Sequence, residues 1–296
     1  MPSHNNSDAP LASGLYVVAT PIGNLEDITL RALRVLREAD LIACEDTRHT
    51  QKLLNHFEIK APTQSYHQHN EAARAQELVK KIEDGARIAL VSDAGMPGIS
   101  DPGARVIRVA LDHGLKVVVV PGPSALISAL VASGLPTDSF RFVGFLPPRS
   151  GERRTALDAL REVRETLVFY EAPHRISEML ADLERIFGKE RHIALARELT
   201  KVHEEFLRGS IAEIAGELRK REAVKGEITV IVDGNRTERR VGPANATVAD
   251  RIRELMAGRV LDEKTALKQA AKEFDIPRSE AYREWQRMKK AAGTRQ

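Results

Sequence analysis

Along the first 234 residues, short apolar runs alternate with segments whose apolar positions recur every three or four residues. The runs 15–20, 41–44, 63–66, 87–91 and 116–120 predict strands, and 29–39, 70–83 and 125–133 predict helices. In 29–39, Leu30, Leu33 and Leu36 fall on one side and Arg31, Arg34 and Arg37 on the other. The stretch 92–103, SDAGMPGISDPG, lies between the strand 87–91 and a helix that Gly114 ends. Asp101 is expected to cap that helix, with Pro102 in its first position and Ile107, Ala110 and Leu111 as its buried stripe. Gly95, Pro97 and Gly98 form a turn at the carboxyl end of a strand, the edge where open α/β sheets bind ligands.

After residue 133 the alternation starts again. Strands are expected at 140–145, 166–170, 191–196 and 227–232, and helices at 153–163, 176–187 and 213–220. Strands alternating with helices predict mostly parallel sheets covered by helices. Two such α/β units, 14–120 and 121–234, would leave a cleft between them, a favoured place for a cofactor. Residues 235–246 are polar, contain Gly242-Pro243 and predict a linker. From 247 to 296 the pattern is purely helical. Thr247 caps a first helix with Val248, Ile252 and Leu255 on one face, and Asp262 begins a second with Ala266, Leu267, Ala270, Ala271 and Phe274 apolar. In a third, Ala281, Tyr282, Trp285 and Met288 are expected inward and Arg278, Arg283, Arg287, Lys289 and Lys290 outward. The short turn at Asp275 makes the last two helices resemble a helix-turn-helix. A plain helical bundle with solvated charges fits the same pattern.

Composition narrows the class. No apolar run approaches the roughly 20 residues that a membrane helix needs. Residues 1–13 lack the basic start and apolar core of a signal peptide and predict a flexible leader. One cysteine, Cys44, excludes an internal disulfide framework and fits a reducing cytoplasm. The net charge of +3 is unevenly spread. Residues 236–296 hold 15 Lys and Arg against 9 Asp and Glu, a net +6, and the remainder holds 30 against 33, a net −3. A mildly acidic body with a basic tail favours a polyanionic partner.

Several chemistries lack their signatures. No GxGxxG opens the first unit, and GxxxxGK[ST] and GxSxG are absent. His67 and His69 stand two apart with no companion ligand in the pattern, so no metal site is expected.

Four strand-end loops carry the positive signal: TPIGN at 20–24, SDAGMPGISDPG at 92–103, PGPSA at 121–125 and YEAP at 170–173. Together they resemble the tetrapyrrole methylase superfamily, the class III S-adenosylmethionine-dependent methyltransferases. ACEDTRHT, FYEAPHRI and ARELTKVHEE make the chain similar to a member acting on small-subunit ribosomal RNA. That resemblance covers residues 14 to about 233 and implies two α/β domains around a cofactor cleft, a homodimer, and methylation of a cytidine ribose 2′-hydroxyl in the 16S decoding region. It also implies that S-adenosylmethionine touches Pro21, Asp93, Gly95, Met96, Ile99, Ser124, Ala125, Tyr170, Glu171, Ala172, Gly226 and Ile228. Where relatives methylating tetrapyrroles read Gly-Asp-Pro, this chain reads Gly95-Met96-Pro97.

A ribose hydroxyl is a poor nucleophile and must lose a proton, so a positioned acceptor helps. The acidic and basic residues at strand ends, Glu45, Asp46, Arg48, Glu198 and Lys201, are the catalytic candidates, with Glu171 also acidic there. Arg175, Arg197, Arg278, Arg283, Arg287 and Lys290 are candidates for binding RNA, as free rRNA or in an assembled small subunit. A tetrapyrrole methyltransferase, or a helix-turn-helix regulator whose α/β part senses a small molecule, remains an alternative at this point.

Overall fold

The computed structural model describes residues 10–235, 247–258, 262–274 and 276–293. The first nine residues of the expected leader, linker positions 236–246, the turn residue Asp275 and the Lys290 side chain lie outside the described residues. The chain forms two compact units, one up to Gly234 and one from Asn235 onward.

In the first unit, β1 (Gly14–Val18) leads through a single 3-10 turn to α1 (Leu30–Glu38), then β2 (Leu41–Cys44), α2 (Thr47–His56) and β3 (Thr63–Ser65). There follow α3 (Glu71–Glu83), β4 (Arg87–Val91), α4 (Ala104–Asp112), β5 (Val117–Val120) and α5 (Ala125–Ala132). These five strands form a wholly parallel sheet in the order β3-β2-β4-β1-β5. Both faces are covered, which explains why its strands read as unbroken apolar runs. Leu15 and Val17 of β1 join a core with Leu78, Ile88 and Val106. Tyr16 and Val18 point the other way, into a core with Val35, Leu36 and Leu54.

The second sheet comprises β6 (Phe140–Phe145), β7 (Thr166–Glu171), β8 (His192–Arg197), β9 (Glu205–Ser210) and β10 (Ile228–Val232). Its order is β6-β7-β10-β8-β9, with α6 (Ser150–Asp158), α7 (Ile176–Phe187) and α8 (Ile211–Arg219) interspersed. Here the expectation of a mostly parallel sheet is corrected. Only β6 and β7 pair in parallel, while β10 runs antiparallel to both β7 and β8, and β9 antiparallel to β8. The cause is β9, absent from the sequence-based reading: a loop of seven residues, 198–204, joins β8 to β9, too short for a parallel crossover. One face packs on α6, α7 and α8. The other face buries Val168, Ala194 and Ile231 against Ala129 and Leu130 of α5 and against Ile22. That packing fastens the two sheets to each other.

The second unit holds α9 (Val248–Gly258), α10 (Glu263–Glu273) and α11 (Arg278–Gly293) around Val248, Ile252, Leu255, Leu267, Ala281 and Trp285. Thr247 Oγ1 accepts from Asp250 N at 3.2 Å, forming the expected cap, and Asp262 Oδ1 accepts from Thr265 N at 3.0 Å, capping the helix it was expected to begin. Tyr282 differs from expectation: it is half exposed, beside Arg278, and does not join the core.

Candidate active site

Three loops leave the carboxyl edge of the first sheet together because β4, β1 and β5 are adjacent and parallel. The first two are stapled: Thr20 N donates to Gly95 O at 2.9 Å, and Gly95 N to Thr20 O at 3.0 Å. Gly95 has φ +79°, a conformation that a side chain makes costly, so glycine permits the staple. The third loop ends at Ser124, whose Oγ caps α5 by accepting from Ile127 N. Opposite stand Tyr170 to Pro173, at the end of β7, and Glu227 and Ile228 at the start of β10. Between the loops lies a cavity of about 360 Å³, within the range of small-molecule sites. Its walls are largely apolar, with Met96, Ile99, Ala125, Phe145 and Tyr170 facing it. The carboxylates of Asp101 and Glu227 are its charged features, and Glu171 lies in its wall.

Asp101 is the residue that local sequence signals misassigned. It does not cap α4, which starts at Ala104 behind Gly103 at φ +143°. A carboxylate from a distant helix serves that end instead. Glu71 Oε1 accepts from Gly103 N at 3.4 Å and Arg105 N at 3.3 Å, and Tyr66 Oη from Val106 N at 3.2 Å. Asp101 is thereby left to line the cavity. Burial raises its carboxyl pKa to about 6, with Glu45 and Asp93 adding repulsion, Ser92 opposing, and Glu227 also raising it.

A family model for tetrapyrrole (corrin/porphyrin) methylases matches residues 14–215. Ribosomal RNA small subunit methyltransferase I of Halalkalibacterium halodurans is 52% identical over 221 residues, 75% of this chain and 76% of that protein. The protein of the same name from Synechocystis is 46% identical over 268 residues, 90% and 95% of the two chains. The chain belongs to the tetrapyrrole methylase family. Within it, the chain groups with the small-subunit rRNA methyltransferase I proteins and is a methyltransferase by that membership, so the regulator reading is not favoured. The fold agrees with uroporphyrin-III C-methyltransferase of Thermus thermophilus, solved with S-adenosylhomocysteine. The TM-score is 0.52 at 21% identity, over 74% of this chain and 96% of that one.

In this chain, nine of the twelve expected cofactor contacts line the cavity: Gly95, Met96, Ile99, Ser124, Ala125, Tyr170, Glu171, Ala172 and Ile228. Pro21 and Asp93 line an adjoining cavity instead. Gly226 lines neither; at φ +91°, a Cβ there would lie 2.3 Å from Glu198 Cγ, so its role is close approach to Glu198. The wall fits S-adenosylmethionine chemically: apolar and aromatic surfaces suit an adenine, loop backbone suits its polar edges, and carboxylates suit hydroxyls and a sulfonium.

The acidic and basic candidates separate. Asp46 caps α2, accepting from Arg48 N at 2.8 Å, and pairs with the exposed Arg48 guanidinium at 3.1 Å, which holds its carboxyl below the usual range. Neither Asp46 nor Arg48 lines the cavity. Glu45 is half-buried, and burial followed by repulsion from Asp93 pushes its pKa up. Glu198 sits at φ +53° and accepts from Lys201 Nζ at 2.8 Å and Glu227 N at 3.0 Å. The Lys201 hydrogen bond holds Glu198 below its ordinary range. Burial acts against the Lys201 ammonium, yet Glu198 and Glu227 keep it above its ordinary value. This strained loop also ties the halves, since Thr200 Oγ1 accepts from Asn24 N at 3.1 Å.

Two arginines expected to meet RNA are engaged within the fold. Arg175 Nη2 donates to Leu146 O at 2.8 Å and meets Glu171 Oε2 at 3.3 Å, while Glu171 Oε1 accepts from Ala172 N. Arg197 is clamped by Glu205 at 2.9 Å and by Lys225 O. Arg278, Arg283 and Arg287 are exposed on α11. His67 and His69 pack ring edge to ring face, and among the described residues no group of three or more His, Cys, Asp or Glu could hold a metal.

Proposed function

We propose that this protein transfers the methyl group of S-adenosylmethionine to small-subunit ribosomal RNA, on the ribose 2′-hydroxyl of a cytidine in the decoding region. The observation that supports it is the cavity where loops of two sheets meet, with the Asp101 carboxyl in its wall. When bound, S-adenosylmethionine supplies an electrophilic methyl on a sulfonium. The chain's residues bind, orient and accept a proton. Met96, Ile99 and Tyr170 hold the apolar part of the cofactor, and the Thr20–Gly95 staple fixes the loops around it. Asp101 accepts the proton of the attacking hydroxyl, its raised pKa being close to the working pH, where proton acceptors are most effective. Burial, with like-charge repulsion from Glu45 and Asp93 added to it, keeps that carboxyl basic. The exposed Arg278, Arg283 and Arg287, with the half-exposed Tyr282, give the carboxyl-terminal unit a face for phosphates and a base.

Labelled S-adenosylmethionine offered with unmodified small subunits, naked rRNA and a uroporphyrinogen-type macrocycle tests the reading. Label on one cytidine ribose of subunit RNA is expected; label on the macrocycle alone would overturn it.

The working form is a homodimer in the cytoplasm. The lone Cys44 is buried and free, as suits a reducing compartment, and among the described residues no helix is long and apolar enough to cross a membrane. Apolar side chains stand exposed on edge strands β5 and β6 and on α5, among them Val119, Ile127, Val131 at 71% exposure, and Phe145. Such surface favours association with a second copy. Phe145 also lines the cofactor cavity, so dimerisation would complete its wall. The double variant Ile127→Asp/Val131→Asp is expected to elute as a monomer in light-scattering chromatography and to bind S-adenosylmethionine more weakly. A dimer of unchanged stability would refute this interface.

A further inference from the structure

A second cavity, of about 300 Å³, adjoins the first, and Ile22, Ala94 and Glu227 line both. Beyond that shared wall the chemistry changes. In place of Met96, Ile99 and Phe145 stand Thr20, Thr50, Ser92, His49, Lys52 and Lys201. Most of the charge here is already engaged. Lys201 is held by Glu198 at 2.8 Å and Glu227 at 3.2 Å, and Asp93 Oδ1 accepts from Asp46 N at 3.1 Å. His49 and Lys52 differ. Three residues apart, they share one face of α2, and both are exposed. Among the described residues, neither side chain has an ion-pair or hydrogen-bond partner. Leu25 and Leu53 line it too, so two unengaged donors stand at the rim of a cavity of mixed polar and apolar lining, and match an anionic group of a ligand whose remainder enters it.

The wall shared by the cavities fixes the orientation. An acceptor in the second cavity meets a cofactor in the first only past Ile22, Ala94 and Glu227. Asp101 lies in the wall of the first cavity, and its carboxyl is repelled by Asp93 and Glu227, both of which line the second. We propose that the second cavity receives the acceptor nucleotide, with its ribose toward the shared wall and its phosphate held by Lys52 and His49. This rests on the reading of the protein as an rRNA methyltransferase, and names the surface that holds the reacting nucleotide.

The test uses the full-length protein and unmodified small subunits across a range of salt concentrations. Lys52→Ala and His49→Ala are expected to raise KM for the subunit by roughly three- to tenfold each, with the larger loss in kcat/KM than in kcat. The affinity for S-adenosylmethionine, read by calorimetry, stays at the wild-type value. For Lys52→Ala the slope of log KM against log salt falls by about 0.7, the loss of one phosphate contact to a single strand. Lys52→Arg restores both, and Lys60→Ala, which removes an exposed charge outside the cavity, changes neither. Unchanged KM and slope in Lys52→Ala would overturn the proposal, and so would weakened cofactor binding, which would give the cavity to the cofactor. A wild-type protein that methylates only a carboxylated macrocycle would overturn the underlying rRNA reading, whatever the variants do.

Discussion

Replacing Asp101 by asparagine is expected to lower kcat roughly 100-fold or more, the scale of a positioned proton acceptor, while cofactor affinity changes little. In the wild type, activity should rise with pH along a limb centred near the carboxyl's pKa of about 6, and that limb should vanish in the variant. The groups facing Asp101 come from several strand ends: Glu45 after β2, Ser92 and Asp93 after β4, and Glu227 before β10. Burial contributes most to the shift, and the carboxylates add to it. The sign for stability follows. The folded-state pKa lies above the ordinary 3.8, so between about pH 4 and 6 the folded state holds a proton that the unfolded chain has lost. Stability therefore falls as pH rises through that window and stays lower above it. Asparagine removes the penalty, so at pH 8 Asp101→Asn should be more stable than wild type, by about 1 kcal/mol once solvent screening of a part-exposed carboxyl is allowed for. A residue kept for structure would do the opposite. Loss of activity together with a lower melting temperature at pH 8 would end its assignment as the proton acceptor.

That residue also marks where local sequence ceased to inform. The first sheet was legible because each strand is buried on two faces and reads as an apolar run. Helix α2 was not, because it opens Thr-Arg-His-Thr-Gln-Lys and buries only Thr50 and Leu54. β9 was missed for a related reason: an edge strand reading EFLRGS, with Glu205 paired to Arg197 and Arg208 donating to the Ala132 carbonyl, has little apolar alternation. At Asp101, an Asp-Pro before an apolar helix carries the local signal of a cap. The carboxylate that serves the helix end is Glu71, thirty residues earlier on α3, and no local pattern reports it. The cofactor loops were legible because together their motifs resemble those of a known family, and the loop at 92–103 adds a backbone demand of its own, the positive φ of Gly95, Gly98 and Gly103. Which of them share one cavity was not, and so Pro21 and Asp93 turn out to line the adjoining space. The pairing of His49 with Lys52 went unnoticed because it depends on a helix that the sequence does not announce.

The cofactor cavity itself can be closed from within. Ala125 is the first residue of α5, follows the cap Ser124, and lines the cavity. Its small side chain leaves room that a larger one would take. Tryptophan there would put an indole into the cavity that Met96, Ile99 and Tyr170 also line, and in about 360 Å³ that ring takes space an adenosine needs. Sites of this kind surround most of their ligand's surface, so an occluded wall is not offset by contacts elsewhere. Ala125→Trp is expected to weaken S-adenosylmethionine binding by roughly 100-fold or more, equivalent to about 3 kcal/mol, and to abolish methyl transfer. The helix should survive, since Ser124 still caps it, and α5 is anchored by Ala129 and Leu130, which face the second sheet and not the cavity. Calorimetric titration with S-adenosylhomocysteine, alongside circular dichroism, separates the two properties. A folded variant that binds with wild-type affinity would place the cofactor elsewhere, with the adjoining cavity behind Asp93 and Pro21 the first place to look.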